Sequence, residues 1–384
     1  MIELQYLEKR ALFNGRFNSL RDIRESEVVL TKDDLRRHYP LGLCFVEPDQ
    51  IWQYHESFGT TGTPTASPMT KADFDHYVSQ ILLSPVNFDP RDRVLIRFPY
   101  ALSAPAHIFH HAAQRNGAMV IPASNRSHIM PYPRVVKLLH ALQATVLCLL
   151  PTEAIIVGHF AKEAGLELPT LRAVCTAGEL LTPQMQNYLE TLWKAPVYNF
   201  YGATEVGNMA YSCKNGRLHV ADPFFDIQIV GANPGNIVVT TRKKEALPLL
   251  RYDTEDMGYL PNTTCECGNP SPVIELFGRK QDRYAVDGKT IYHRDLKDVL
   301  FGLVNFLGLS PFWKCQQHGH SLVVTIEESA DLSFARETLT KNFNIPIEIR
   351  SVPKDSLSGL KGLHEFLDVK KPEYFLKEEE QKKC

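Results

Sequence analysis

Ser57-Phe58-Gly59-Thr60-Thr61-Gly62-Thr63-Pro64-Thr65 follows an apolar approach at residues 51–54. Two glycines let this run fold tightly and turn its N–H groups inward, and Ser57, Thr60 and Thr61 add hydroxyl donors, so it can cradle phosphate oxygens. The same composition also describes an ordinary surface turn. The run lacks the Gly-Lys-Ser/Thr ending of a Walker loop, and that nucleotide mechanism finds no support. Its chemistry therefore depends on what accompanies it. In order come Ala177-Gly178-Glu179, Tyr201-Gly202-Ala203-Thr204-Glu205, Arg251-Tyr252-Asp253-Thr254-Glu255-Asp256 and Gly278-Arg279-Lys280-Gln281-Asp282.

A second constellation has the chemistry of a metal site. Cys213 precedes His219 by a short turn, and Cys265 and Cys267 flank Glu266 ahead of Gly268. Three thiolates and one imidazole complete a closed tetrahedral zinc site, whereas catalytic zinc keeps a position open for water. The alternative is a set of free surface thiols. Cys44, Cys148, Cys175 and Cys315 sit in apolar surroundings and read as core residues.

These groups need a scaffold, and the pattern supplies an alternating one. Strands are expected at 93–100, 117–122, 144–150, 171–176 and 196–200, and helices at 133–142, 152–164 and 182–192. Strands separated by helices mean a parallel sheet with crossovers, whose ligands gather beyond the carboxyl ends of the strands. The loops at 177–179 and 201–205 fall at such ends. After Asp222, short alternating segments at 225–230, 236–241 and 249–252 predict a small antiparallel unit. A new unit starts near Gln281, with helices at 297–304 and 332–343 and strands at 320–327 and 346–352. Thr31-Lys32-Asp33-Asp34-Leu35 reads as a capped helix start.

The fold class is thus α/β: a large N-terminal domain (1–280) of parallel αβ layers with a small antiparallel subdomain, a smaller mobile α+β lid (281–376), and a charged, disordered tail (377–384). Over 384 residues, 44% hydrophobic and 22% charged content is ordinary for a globular chain. A net charge of −2 recommends neither nucleic acid nor an acidic membrane surface. The acidic start of the chain and the absence of a long apolar run predict a cytoplasmic protein.

The ordered motifs resemble those of the adenylate-forming superfamily, which joins acyl- and aryl-CoA ligases, peptide-synthetase adenylation domains and luciferases. The chain is most similar to the phenylacetate-CoA ligase branch, from about residue 20 to Lys361. The resemblance implies that Ser57, Gly59, Thr60, Thr61 and Gly62 hold the β- and γ-phosphates of ATP. Ala177, Gly178 and Glu179 would form the adenine turn. Tyr201 and Gly202 would border the purine and the acyl substrate, Thr204 would bond the α-phosphate, and Glu205 would bind Mg2+. Asp256 would accept from the ribose hydroxyls with help from Arg279; a structural ion pair is the other reading. Gln281 would be the lid hinge, and Lys361, rather than Lys354, the catalytic lid lysine.

Four features depart from the family pattern: Thr63 replaces a customary lysine, Glu255 a customary glycine and Gln281 a customary aspartate, and the loop bearing Lys361 follows Val352-Pro353 at a spacing slightly longer than usual. Among His107, His110 and His111, the resemblance favours His110 for the acyl pocket. It implies a small-molecule carboxylic acid, aryl or otherwise organic, activated as acyl-adenylate and passed to a thiol, foremost coenzyme A. A carrier-protein phosphopantetheine or an amine is the alternative acceptor, a homodimer is left open, and a non-catalytic nucleotide binder is the rival from another class.

Overall fold

A computed structural model describes residues 29–57, 62–125, 127, 129–327 and 331–360, and the backbone of a short strand at Phe375–Leu376. Among the described residues a seven-stranded sheet has the order β4-β3-β5-β6-β7-β8-β9. Its strands are β3 (Arg93–Ile96), β4 (Met119–Pro122), β5 (Val146–Leu149), β6 (Ala173–Ala177), β7 (Val197–Ala203), β8 (Gly207–Ser212) and β9 (Leu218–Val220). Strands β3 to β7 are parallel, and β8 and β9 return antiparallel at one edge.

Buried apolar runs such as Val146-Leu147-Cys148-Leu149 suit strands covered on both faces. Alternation sends Val94 and Ile96 to one core and Leu95 to the other. The first core is shared with α2 (Lys71–Leu82) and α3 (Ala104–Arg115) through Phe74, Tyr77, Ile108 and Phe109. The second packs α4 (Tyr132–Ala141), α5 (Pro151–Glu163) and α6 (Pro183–Trp193) through Leu139, Ile155, Phe160 and Leu189.

Ahead of the large sheet lie the short helix α1 (Lys32–Arg37) and the hairpin of β1 (Gln53–Glu56) with β2 (Ala66–Met69). The expected cap is present: the Asp34 N–H donates to Thr31 Oγ1 at 3.2 Å, and the Thr31 N–H donates back to Asp34. A four-stranded antiparallel sheet joins β10 (Phe225–Val230), β11 (Gly235–Thr241), β12 (Tyr252–Tyr259) and β13 (Glu275–Arg279). The strand expected at 249–252 instead begins at Tyr252, because Leu249 and Leu250 serve as buried packing groups in the approach.

The C-terminal unit contains the hairpin of β14 (Arg283–Val286) and β15 (Lys289–Tyr292), and then α7 (His293–Leu307). A sheet follows, ordered β18 (Ile347–Val352), β17 (Ser321–Glu327), β16 (Trp313–His318) and β19 (Phe375–Leu376), with α8 (Ser333–Phe343) against it. Helix α7 faces two ways. Its Leu296, Leu300 and Leu303 fill the C-terminal core, while Phe301 and Val304 enter the second core of the large unit. The Lys297 ammonium donates to the Leu180 carbonyl at 2.7 Å, and Asp298 accepts from the Gln184 N–H at 2.9 Å. These bonds seat the C-terminal unit one residue beyond the Ala177-Gly178-Glu179 turn. Among the described residues no helix is long and apolar enough to cross a membrane.

Candidate functional site

The site is organised around the turn between β7 and β8. Gly202 lies so close to the returning strand that a Cβ there would sit 2.3 Å from the Gly207 carbonyl oxygen, so glycine is required for the hairpin to close. The closed hairpin sets Thr204 and Glu205 at the carboxyl edge of the parallel sheet, where open α/β sheets bind ligands.

Glu205 is buried, and its carboxylate accepts from the Tyr252 hydroxyl at 2.5 Å and from the Thr65 hydroxyl at 3.3 Å. Behind it the buried Lys244 ammonium donates to the Glu205 carbonyl and to the Tyr77 hydroxyl, the latter at 2.7 Å. Burial pulls the Lys244 pKa down to about 8 against the attraction of Asp73 and Glu205. The oxygens of Glu205 are thus held by neutral hydroxyls, an arrangement that leaves its charge for a cation.

On the other side of the hairpin, the Tyr201 hydroxyl donates to Asp256 Oδ2 at 2.8 Å. Asp256 and Arg279 are cross-strand partners on β12 and β13. Burial lifts the Asp256 carboxyl above the usual carboxylate range, opposed by the nearby Arg279 guanidinium and the Tyr201 hydroxyl. Tyr201, Glu205 and Asp256 therefore form one group, Glu205 buried and the other two half-buried, drawn from two distant stretches of chain.

Glu255 is the neighbour whose charge looked out of place. Its backbone is left-handed, with φ of 63°, and its carboxylate pairs with Lys32 of α1 at 2.9 Å. The left-handed backbone costs an L-residue about 1 kcal/mol, and a part-exposed ion pair returns roughly 0.2–1 kcal/mol. Glu255→Gly is therefore expected to change unfolding free energy by less than about 1 kcal/mol. Urea denaturation of the variant beside the parent measures it, and a loss well beyond that range would contradict this balance.

In the stretch expected to cradle phosphate, Ser57 pairs with Thr65: its N–H donates to the Thr65 carbonyl at 3.0 Å and its hydroxyl accepts from the Thr65 N–H at 2.9 Å. Gly62 adopts φ of 130°. Gly59, Thr60 and Thr61 lie outside the described residues, as do Lys361 and the tail at 377–384. Gly178 turns the chain at the end of β6 with φ of 82°. The Glu179 carboxylate is committed to α5, accepting from the N–H and hydroxyl of Thr152 at 3.0 and 2.7 Å. Gln281 occupies the turn between β13 and β14.

His110 stands apart from the Tyr201, Glu205 and Asp256 group, on α3, with Nδ1 3.1 Å from the Tyr100 hydroxyl. Partial burial and the neighbouring histidines hold its pKa below the ordinary imidazole value. His107 bonds the Tyr100 carbonyl at 2.5 Å, and His111 meets the Phe74 ring edge-on. Sequence reasoning missed Thr65, Lys32 and Lys244 as members of the site. Lys244 lies in the run Arg242-Lys243-Lys244-Glu245, which has the composition of a solvated surface.

The four metal-type residues converge at the far end of β8. The ligand atoms of Cys213, His219, Cys265 and Cys267 all lie within 4.8 Å of one another. A tetrahedral zinc with sulfur at about 2.3 Å needs sulfur–sulfur edges of about 3.8 Å. The Cys213 and Cys265 sulfurs are 3.8 Å apart, and Cys267 Sγ lies 3.4 Å from His219 Nε2. His219 Nδ1 is 2.8 Å from the Ser271 carbonyl, to which it donates, so the Nε2 lone pair turns towards the thiols. Burial pushes the Cys213 thiol up to about 11, while the Asn269 N–H and adjacent thiols outweigh burial and hold Cys267 below its ordinary value. Six residues of strand separate this cluster from Glu205, about 20 Å.

The AMP-binding enzyme family model matches residues 54–238. The chain is 25% identical over 343 residues to phenylacetate-coenzyme A ligase of Escherichia coli (strain K12), covering 84% of this chain and 76% of that protein. It is 26% identical over 290 residues to the phenylacetate-coenzyme A ligase of Thermus thermophilus, covering 71% of this chain and 64% of that one, just under two thirds of its length. Among solved structures, 2-hydroxyisobutyryl-CoA ligase in the postadenylation state superposes with a TM-score of 0.84 at 19% identity, over 98% of this chain and 87% of that chain. This likeness bears out the expected α/β architecture.

Proposed function

We propose that the chain, whose residues 54–238 match the AMP-binding enzyme model and which is 25–26% identical to phenylacetate-coenzyme A ligases, is an AMP-forming acid–CoA ligase of the adenylate-forming superfamily. The carboxylate oxygen of a small organic acid attacks the α-phosphorus of ATP, the bond to the β-phosphate oxygen breaks, and pyrophosphate leaves. The thiol sulfur of coenzyme A then attacks the acyl carbon; the C–O bond to AMP breaks and the thiol proton passes to solvent. Activation replaces a resonance-stabilised carboxylate by a mixed anhydride with a good leaving group.

The observation that carries this reading is the buried Glu205 carboxylate, held by Tyr252 and Thr65 at the sheet's carboxyl edge beside the Tyr201–Asp256 pair. Glu205 would hold Mg2+, which when bound neutralises phosphate oxygens. Thr204 would bond the α-phosphate, and Ser57 and Gly62, with Gly59, Thr60 and Thr61, would surround the outgoing phosphates. Asp256, aided by Arg279, would take the ribose hydroxyls. Tyr201 and Gly202 would border the purine and the acid, His110 would line the acyl pocket, and Ala177, Gly178 and the Glu179 backbone would form the adenine turn. Lys361 would close the site as the lid unit turns about Gln281. The four-residue cluster would hold structural Zn2+, as its edge lengths and the His219 tautomer support.

The test is product identity. With ATP, Mg2+, coenzyme A and a reactive acid, the expected products are AMP and an acyl-CoA thioester, resolved by mass spectrometry. ADP, or an acyl-adenylate that coenzyme A leaves untouched but an amine or carrier-protein thiol consumes, would contradict the assignment of coenzyme A as acceptor.

A further inference from the structure

A triphosphate carries several negative charges, yet residues 57–65 contain no basic side chain. An anion gathered by this loop must find its cation on another element. Helix α1 brings one. Arg36 Nε donates to the Thr63 carbonyl at 3.1 Å, against the loop itself. Lys32 lies four residues earlier, on the same helical face, and reaches Glu255, the neighbour of Asp256. One face of α1 therefore runs from the ribose-side acid to the phosphate loop.

The helix is firmly placed. Leu35 is buried, and the preceding Leu30 is paired onto β12, donating to the Arg251 carbonyl at 3.0 Å and accepting from the Asp253 N–H at 2.9 Å. The second arm of the guanidinium meets Asp33 at 3.0 Å, with the Asp33 side chain 78% exposed. Such a solvated pair is worth little and yields readily to a more highly charged anion. Asp33, Arg36, Arg37 and Thr63 border a shallow, open depression of about 570 Å³, with room for phosphate groups. A planar guanidinium fork matches phosphate oxygens better than a point charge does.

We propose that Arg36 binds the β,γ-phosphates of ATP, and the pyrophosphate that leaves, as the cation of the phosphate loop. This rests on the reading of the chain as an ATP-using ligase. A residue that only ties α1 to the loop would affect all nucleotides alike, whereas a phosphate ligand discriminates between them.

The experiment is calorimetric titration of the full chain with Mg-ATP and with AMP. Arg36→Gln is expected to weaken ATP about 10- to 100-fold, the loss of charge-assisted hydrogen bonds, and to change AMP less than about twofold. Equal losses for ATP and AMP, or no loss for either, would overturn the proposal. Should Arg36→Gln fail to fold, Arg36→Lys decides: ATP weakened several-fold with AMP unchanged supports the assignment, and equal changes overturn it. If the parent chain binds AMP but not ATP, the ligase reading falls and this inference with it; a parent that binds ATP while the variants match it removes the Arg36 role alone.

Discussion

Glu205→Gln is expected to slow acid-dependent pyrophosphate release by about 10²- to 10³-fold, the range seen when one preorganised electrostatic group is lost from a reacting centre. The substitution keeps the shape of the side chain. The Tyr252 hydroxyl can still donate to the amide oxygen, and the Thr65 hydroxyl can accept from the amide nitrogen. Lys244 keeps its bonds to the Tyr77 hydroxyl and to the carbonyl of residue 205, neither of which involves the substituted atoms. What disappears is the negative charge, and with it the attraction for a hard cation. The variant should therefore melt close to the parent while losing rate and requiring more Mg2+ for half-maximal activity. Steady-state pyrophosphate release across a Mg2+ titration checks this, and a variant within about threefold of parental rate would remove Glu205 from the metal role.

Cys265→Ser is expected to release zinc and lower the melting temperature by roughly 10 °C. Closed zinc sites contribute to folding directly, up to about 10 kcal/mol or more in free-standing zinc peptides. Here the loop carrying Cys265 and Cys267 spans β12 and β13, strands that also hold Asp256 and Arg279. Several kcal/mol lost from a domain of this size corresponds to that change in melting temperature. The cluster lies at the opposite end of β8 from Glu205, so parental rates should survive in whatever fraction of the variant remains folded. Metal analysis of the purified parent is the check: about one zinc per chain is expected, and a parent with none, melting unchanged in chelator, would leave the four residues as a thiol cluster.

The parallel half of the fold was legible because β3, β5 and β6 are short apolar runs separated by helical periodicity, a signal that is local. Helices α2 and α3 carry no such clear local signal. In Ala104–Arg115 three histidines and several alanines blur the apolar stripe, although Ile108 and Phe109 are buried. The residues of 201–205 suggest a loop, yet β7 continues through Ala203 and only the next residues turn, because the partner strand β8 prolongs the pairing. Which neighbour a strand acquires is not written in its own residues.

The site divides in the same way. Motif residues such as Tyr201, Glu205 and Asp256 announced themselves by type and order, but the contacts that join them did not. Lys244 sits in a run of charges that suggests solvent, and only the approach of α2 buries it against Tyr77. The departure at Glu255 had no visible counterpart until α1 brought Lys32 across more than two hundred positions of sequence. Thr63 gains its cationic neighbour Arg36 by the same helix.

The most direct measurement is pyrophosphate release from ATP and Mg2+ with a panel of aryl and short aliphatic acids and no acceptor. The chain is expected to release pyrophosphate with one class of acid, leaving AMP bound to that acid as a mixed anhydride. No acid-dependent release across the panel, while calorimetry still shows ATP binding, would contradict carboxylate activation and leave a nucleotide-binding protein built on a ligase fold.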